Sequence, residues 1–199
     1  MTFRRRSGRA GGPLGTESAA GREPSDPAAL ARSVCLRLLT GSPRTRAQLE
    51  EALRRRGIPA DVASEVLDRY TEVGLLDDAA FAGAWVQSRH AGRGLARRAL
   101  SHELRQRGVS EDVLAEAVSG VRDEDESSTA LRLAARRLAA TASQPTEVRV
   151  RRTAGFLARK GYSGAVAMTA VRAALAAERV PAVVVDVLAP EHDPNADDL

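Results

Sequence analysis

The sequence has few of the residues on which many folds depend. Aromatic residues make up only 3% of its 199 residues, so leucine, valine and alanine must form the core. There is a single cysteine, Cys35, which excludes a disulfide framework. Because Cys35 lies between Val34 and Leu36, we expect a buried thiol in a reducing compartment.

Long apolar runs are also missing. No stretch approaches the roughly 18–20 residues that cross a bilayer, so no membrane association is expected. The N-terminal arginines are not followed by a hydrophobic segment, so they do not resemble a secretory signal. These two absences favour a cytoplasmic protein.

No set of catalytic residues stands out. The three histidines, His90, His102 and His192, lack the spacing of a helical metal site. The sequence has neither a phosphate-binding loop ending in Lys-Ser/Thr nor a strand–glycine–helix dinucleotide turn. We therefore expect no enzyme activity, no catalytic residue, no metal and no cofactor.

Charge is unevenly distributed. Residues 1–27 are rich in arginine, glycine and proline and carry +2, which predicts a disordered basic arm. Residues 186–199 carry −5 and predict an acidic tail. Because the whole chain carries +4, residues 28–185 carry +7, and a polyanion would meet the protein there.

A motif recurs about every fifty residues. Each copy has a leucine, a basic tract and a glycine, followed by apolar residues four apart, which is helical spacing. The glycines are typical of the left-handed residue that ends a helix, and a helix restarts two residues later. The copies are Leu53–Ile58, Leu104–Val109 and Leu157–Tyr162.

A further helix precedes each motif, so the predicted unit is three helices, the first of them at about 29–40, 78–90 and 127–141. The sequence thus predicts an all-α protein of three tandem three-helix repeats, elongated and curved, since each repeat contacts only its neighbours. Thr45 to Gln48 match a capping box, and Asp77 and Asp78 are expected to cap the second repeat's first helix. The predicted repeats span 28–76, 77–122 and 127–180.

The densest run of positive charge lies in the second repeat. A planar guanidinium binds phosphate or carboxylate, so the run suits either a nucleic-acid backbone or an acidic protein groove, although a solvated helix face would have the same composition. No interleaved aromatic residues provide a base-stacking platform. The candidate partner or DNA-binding residues are Arg89, Arg93, Arg97, Arg98, Arg105 and Arg107.

Two segments of the second repeat carry a family resemblance. Gly74-Leu75-Leu76-Asp77-Asp78-Ala79-Ala80-Phe81-Ala82, with Trp85, and Glu103-Leu104-Arg105-Gln106-Arg107-Gly108 together resemble the RecX family of recombination regulators. The stretch from Arg44 to Ile58 agrees, and the resemblance covers about residues 28–178. Gln48 stands where the family more often has Glu, and the third copy matches loosely.

The resemblance implies a cytoplasmic protein that binds RecA and its filament on single-stranded DNA. No long heptad or exposed apolar patch in the sequence demands a dimer, so we expect a monomer. Family members mainly inhibit the ATPase, strand-exchange and co-protease activities of RecA, which places them in DNA repair, recombination and the SOS response. The resemblance also implies that six residues of the second repeat pack in its core: Leu76, Phe81, Ala82, Trp85, Leu100 and Leu104. The competing hypothesis is a stand-alone nucleic-acid-binding protein that uses the positively charged body without sequence specificity, with weak contacts to single- or double-stranded DNA.

Overall fold

The protein is all-helical in the computed structural model, which describes residues 26–178. The predicted basic arm, up to residue 25, and the predicted acidic tail lie outside the described residues. Nine helices make up the described part, and none of them is long and apolar enough to cross a membrane. They are α1 (Pro27–Gly41), α2 (Arg46–Arg54), α3 (Ala60–Glu72), α4 (Asp78–Arg93), α5 (Arg97–Arg105), α6 (Glu111–Ser119), α7 (Asp123–Ala139), α8 (Thr146–Arg159) and α9 (Gly164–Ala177).

The helices form three successive bundles of three, each with its own core. Every helix pair that packs extensively lies within one bundle. The fully buried side chains of largest volume are leucines, as the scarcity of aromatics predicts, with Leu53, Leu104 and Leu157 at equivalent places in the three cores. The predicted all-α architecture of three tandem three-helix repeats is confirmed.

The three repeated glycines end the second helix of each bundle in the left-handed conformation. Their φ angles are 72° at Gly57, 74° at Gly108 and 90° at Gly161. The turn closes in the same way each time, because the N–H of the residue after the glycine donates to the carbonyl of the leucine five residues earlier in the chain. These bonds are Ile58 N to Leu53 O, Val109 N to Leu104 O and Tyr162 N to Leu157 O, each 3.2 Å long.

The predicted helix caps are largely observed. Thr45 and Gln48 form both bonds of a capping box at the start of α2. Asp77 caps α4 by accepting from Ala80 N at 2.8 Å. Asp78 differs from the expectation: its Oδ1 accepts from the backbone N–H of Arg46 at 2.9 Å, so it joins the first two repeats instead of capping its own helix.

Two boundaries also differ from the sequence-based expectation. The acidic residues 123–126, which lie between the predicted second repeat (to residue 122) and the predicted third repeat (from residue 127), are instead the first turn of α7. Carboxylates are favourable there because the helix N-terminus carries partial positive charge. Helix α4 continues to Arg93, three residues beyond its expected end near residue 90, and is capped by Gly94.

Successive repeats meet through their second helices. The glycine turn after α5 lies against the N-terminus of α2, and the glycine turn after α8 lies against the N-terminus of α5. A Cβ on Gly108 would overlap Ala47, and one on Gly161 would overlap Ala99. Helices α8, α5 and α2 are therefore arranged head to tail, which places the three repeats in series.

Candidate interaction surface

Two of the predicted arginines surround Trp85 on α4. The guanidinium carbons of Arg107 and Arg89 lie over the indole ring, 3.6 Å and 4.1 Å from its centroid. The indole Nε1 donates to Glu103 Oε2 at 2.8 Å, and Phe81 stacks on Trp85 with ring centroids 5.8 Å apart. Both arginines are thus fixed against Trp85 by cation–π contacts, and Glu103 also pairs with Arg89.

The side chain of Arg107 is half-buried. Burial, the largest influence, lowers its pKa, Glu103 opposes that shift, and Arg89 adds to it. Its backbone carbonyl accepts from the Thr45 hydroxyl at 2.6 Å, across the junction with the first repeat. Arg107 therefore contributes to the structure at both its side chain and its backbone.

Arg97 joins the second and third repeats. Its backbone N–H donates to Glu126 Oε1 at 3.0 Å, and its Nε donates to Glu126 Oε2 at 2.9 Å. The guanidinium also pairs with Asp123. Hydrogen bonding to Asp123, and then to Glu126, raises the pKa of Arg97. This predicted site residue is thus committed to a contact between repeats.

The remaining three candidates differ in whether their charge is already paired with a carboxylate. Arg105 pairs with Glu111 through two hydrogen bonds of 2.8 Å and 2.9 Å, which raise the pKa of Arg105. Arg93 and Arg98 are exposed and form no ion pair with a described residue. Of the six arginines, these two retain a fully available charge for a partner.

A second basic surface, which the sequence reasoning missed, lies where α4, α7 and α8 converge. It is a groove of about 760 Å³ between the second and third repeats, here called the inter-repeat groove. No carboxylate is among its lining residues. Its six cations are Arg93, Arg132, Arg136, Arg137, Arg159 and Lys160.

The inter-repeat groove lies beside hydrogen bonds that join the second and third repeats. Lys160 Nζ donates to the carbonyl of Arg93, and the carbonyl of Lys160 accepts from Ala96 N at 2.9 Å. Tyr162 donates its buried hydroxyl to Gly94 O at 3.1 Å. One local signal was present in the sequence, since Arg132 and Arg136 are four residues apart and share a face of α7.

Of the three histidines, His192 lies outside the described residues, and the other two, His90 and His102, do not assemble a reaction centre. His90 Nδ1 lies 2.8 Å from Leu95 O, and its Nε2 is 3.4 Å from the Thr129 hydroxyl. His102 contacts Gln106 at 2.9 Å. Within residues 26–178 there is no group of three His, Cys, Asp or Glu side chains placed to hold a metal ion.

Comparison with known proteins identifies the family. Three family models match in order: the first three-helix domain of RecX over residues 31–69, the second over 77–118 and the third over 123–171. A regulatory protein RecX from Thermobifida fusca is 59% identical over 191 residues, covering 96% of this chain and 99% of that protein. The chain belongs to the RecX family.

Other RecX proteins agree. The regulatory protein RecX of Streptomyces coelicolor is 57% identical over 158 residues, covering 79% of this chain and 84% of that one. A crystal structure of RecX from Lactobacillus salivarius shares the fold with a TM-score of 0.69 at 19% identity, covering 75% and 97% of the two chains. The curated relatives bear the name of regulatory proteins, so this chain belongs to a regulatory family.

Proposed function

We propose that this protein regulates RecA, mainly as an inhibitor, by binding the RecA monomer and its filament on single-stranded DNA. The effect would fall on ATPase, strand-exchange and co-protease activity, and so on DNA repair, recombination and the SOS response in the cytoplasm. The observation that carries the proposal is that all three repeats match RecX domains in order along one chain.

The shape of the described part supports regulation by contact. Three bundles in series present a long surface, and successive cores do not merge into one globule with a central cleft. A monomer would suffice, because the large core side chains are buried within each repeat. Binding to a filament would then act by favouring one filament state over another.

The six predicted arginines divide into two groups for this purpose. Arg89, Arg97, Arg105 and Arg107 have partners within the chain and shape the second repeat and its junctions. We propose that Arg93 and Arg98 make the first contacts with RecA or with DNA in the filament, since their charges are not already paired. Arg98 is the cleaner test because Arg93 also lines the inter-repeat groove.

The test is a titration of the full chain into RecA hydrolysing ATP on single-stranded DNA. We expect inhibition at concentrations well below those that coat free DNA. Arg98→Glu should raise the half-inhibitory concentration about tenfold, which corresponds to about 1.4 kcal/mol. Arg37→Glu, at an exposed arginine of α1 without an ion pair, serves as the control and should inhibit like the parent protein.

The alternative, a stand-alone nucleic-acid-binding protein, predicts a different titration. RecA would then slow only when the added chain covers the DNA. A chain lacking residues 1–25, which keeps Asp26 as the cap of α1, would lose much of its effect because it lacks the arginines of the arm. Inhibition that tracks free-DNA coverage, with no dependence on Arg98, would replace the RecA proposal with this one.

A further inference from the structure

The six cations of the inter-repeat groove are not balanced by carboxylates. None of them forms an ion pair with any residue between 26 and 178, whereas Arg97, Arg105 and Arg149 all do. The groove at the junction of the first two repeats differs, because Glu51 lines it and pairs with Arg54 and Arg55. The lining of that groove holds five arginines and one carboxylate, whereas the lining of the inter-repeat groove holds six cations and no carboxylate, so its positive charge is the less compensated of the two.

Uncompensated like charges on facing walls repel one another. The cations come from three helices: Arg93 from the end of α4, Arg132, Arg136 and Arg137 from α7, and Arg159 from α8, with Lys160 next to it in the turn. A concave site that gathers one sign of charge focuses the field into the groove and concentrates counter-ions there. An anion with many charges would relieve the repulsion on both walls at once.

The one aromatic side chain in the groove is not available for stacking. Phe156 is partly buried, and the charged groups of Lys160 and Arg137 lie 5.2 Å and 5.5 Å from its ring centroid. A ring occupied by cations offers no free face to a base. Recognition in this groove must therefore be directed at charge, without reading base identity.

We propose that the inter-repeat groove binds the phosphodiester backbone of single-stranded nucleic acid. Phosphate accepts the planar fork of arginine, and a strand carries one charge on every nucleotide. Arg132 and Arg136 stand one helical turn apart, about 6 Å along α7, so they reach successive points on an extended strand. A flexible single strand can follow a concave surface, so its phosphates can meet cations on more than one wall of the groove.

An acidic peptide is the other polyanion to weigh, and the observations favour it less. Carboxylates are spaced irregularly along a peptide, and its apolar residues need surface to pack on. Leu95 and Leu133 are the groove's larger aliphatic lining residues against six cations, and cations already contact its one aromatic ring. The proposal deepens the proposed function, because the bound strand would be the DNA of the RecA filament. The groove should nevertheless bind a single strand when RecA is absent.

The test compares two double variants that lose the same net charge. The groove variant is Arg136→Gln with Arg159→Gln, both exposed residues without ion pairs. The control variant is Arg37→Gln with Arg151→Gln, which are also exposed and without ion pairs but do not line the groove. Binding of a fluorescent oligothymidylate is measured by anisotropy across a salt series without RecA, and circular dichroism and melting confirm that each variant folds.

Two lost phosphate contacts should make the log–log salt dependence of the association constant shallower by about 1.4, at about 0.7 per contact on single strands. If the parent and the groove variant bind equally at about 1 M salt, where electrostatic binding is screened, a slope difference of about 1.4 makes their affinities differ roughly 25-fold one decade lower. At about 0.1 M salt the dissociation constant of the groove variant should therefore be roughly 25 times that of the parent. The control variant should keep the parent slope. This pattern supports the site whether or not the chain inhibits RecA.

Three results would overturn the proposal. Equal losses in the two variants would mean that net charge alone drives binding, and unchanged binding by the groove variant would mean that the strand lies elsewhere. If the groove variant no longer bound labelled polyglutamate but still bound oligothymidylate, the groove would be a site for an acidic peptide. Inhibition of RecA is measured in the separate ATPase titration, so failure of the proposed function is distinguishable from failure of this site.

Discussion

Gly161, at the end of α8, lies so close to the backbone of Ala99 in α5 that a Cβ there would be 2.5 Å from the Ala99 nitrogen. The contact sits beside the hydrogen bond from Ala96 N to Lys160 O, so the left-handed turn and the junction between repeats depend on the same residue. The equivalent turn of the first repeat, at Gly57, has open space around it.

This difference predicts unequal costs for the same substitution. Gly57→Ala should destabilise by about 1–2 kcal/mol, since the left-handed conformation alone is strained for alanine. Gly161→Ala should lose the same amount plus about 1–3 kcal/mol from overlap with α5. Urea unfolding followed by circular dichroism measures both. Equal losses in the two variants would show that Gly161 is not held against α5.

Glu126 is the next residue on which the same junction depends. It is 7% exposed and accepts from the backbone and the guanidinium of Arg97. Glu126→Gln removes the charge and one acceptor, so the free energy of unfolding should fall by about 2 kcal/mol. Glu111→Gln breaks the exposed pair between Glu111 and Arg105 and should lower the free energy of unfolding far less, because solvent screens that pair. A Glu126→Gln loss as small as that of Glu111→Gln would contradict this role.

The repeat was predictable because its signals are local. A glycine in the left-handed conformation, a basic turn before it and apolar residues four apart all lie within about fifteen residues of one another, and each is a property of short-range backbone geometry. The capping box at Thr45 is of the same kind. The start of α7 was placed too late because the run from Asp123 to Glu126 was interpreted as a spacer, although acidic residues are also favoured in a first helical turn.

The roles that were not predictable depend on how repeats dock. Asp78 was expected to cap α4, but it accepts from Arg46, which is 32 residues away in the chain. Arg97 was expected to face a partner, but it pairs with Glu126, 29 residues away. A count of charges in a short window of sequence includes the arginine but not the distant carboxylate with which it pairs in the fold.

The inter-repeat groove escaped the sequence reasoning for a related reason. Its cations come from residue 93, from 132–137 and from 159–160, so no single window of sequence contains them. The window of highest charge density, from Arg89 to Arg107, instead holds mainly arginines with partners inside the chain. Charge density in sequence and accessible charge in space are different quantities when arginine is abundant.

Cys35 offers a direct probe of the first repeat. Its side chain is fully buried, as its apolar neighbours predict, and burial raises the pKa of the thiol. A disulfide reagent at about pH 8 should therefore react with the folded protein only as fast as the first repeat opens, because the thiolate is the reactive form. Reaction is followed by absorbance with and without urea. Rapid, complete labelling of the native chain would contradict burial at Cys35.

The second junction should also make stability depend on high pH. Burial, the largest influence, raises the pKa of Tyr162 to about 12, and its hydroxyl donates to Gly94 O. Because the pKa in the folded state lies above the usual value of about 10, the neutral phenol stabilises the fold fully below pH ~10. That contribution is lost as the pH rises from about 10 towards 12, by up to about 1.4 kcal/mol per pH unit.

The chain has two tyrosines, so each can be titrated alone. In Tyr70→Phe the remaining tyrosinate absorbance should appear near pH 12, and the free energy of unfolding should fall with pH above about 10. Tyr162→Phe should lack both the late absorbance and most of that fall, since phenylalanine fills a similar volume but has no proton to lose. A midpoint near 10 for Tyr162, with helical circular dichroism still intact, would mean that the ring is not buried between the second and third repeats.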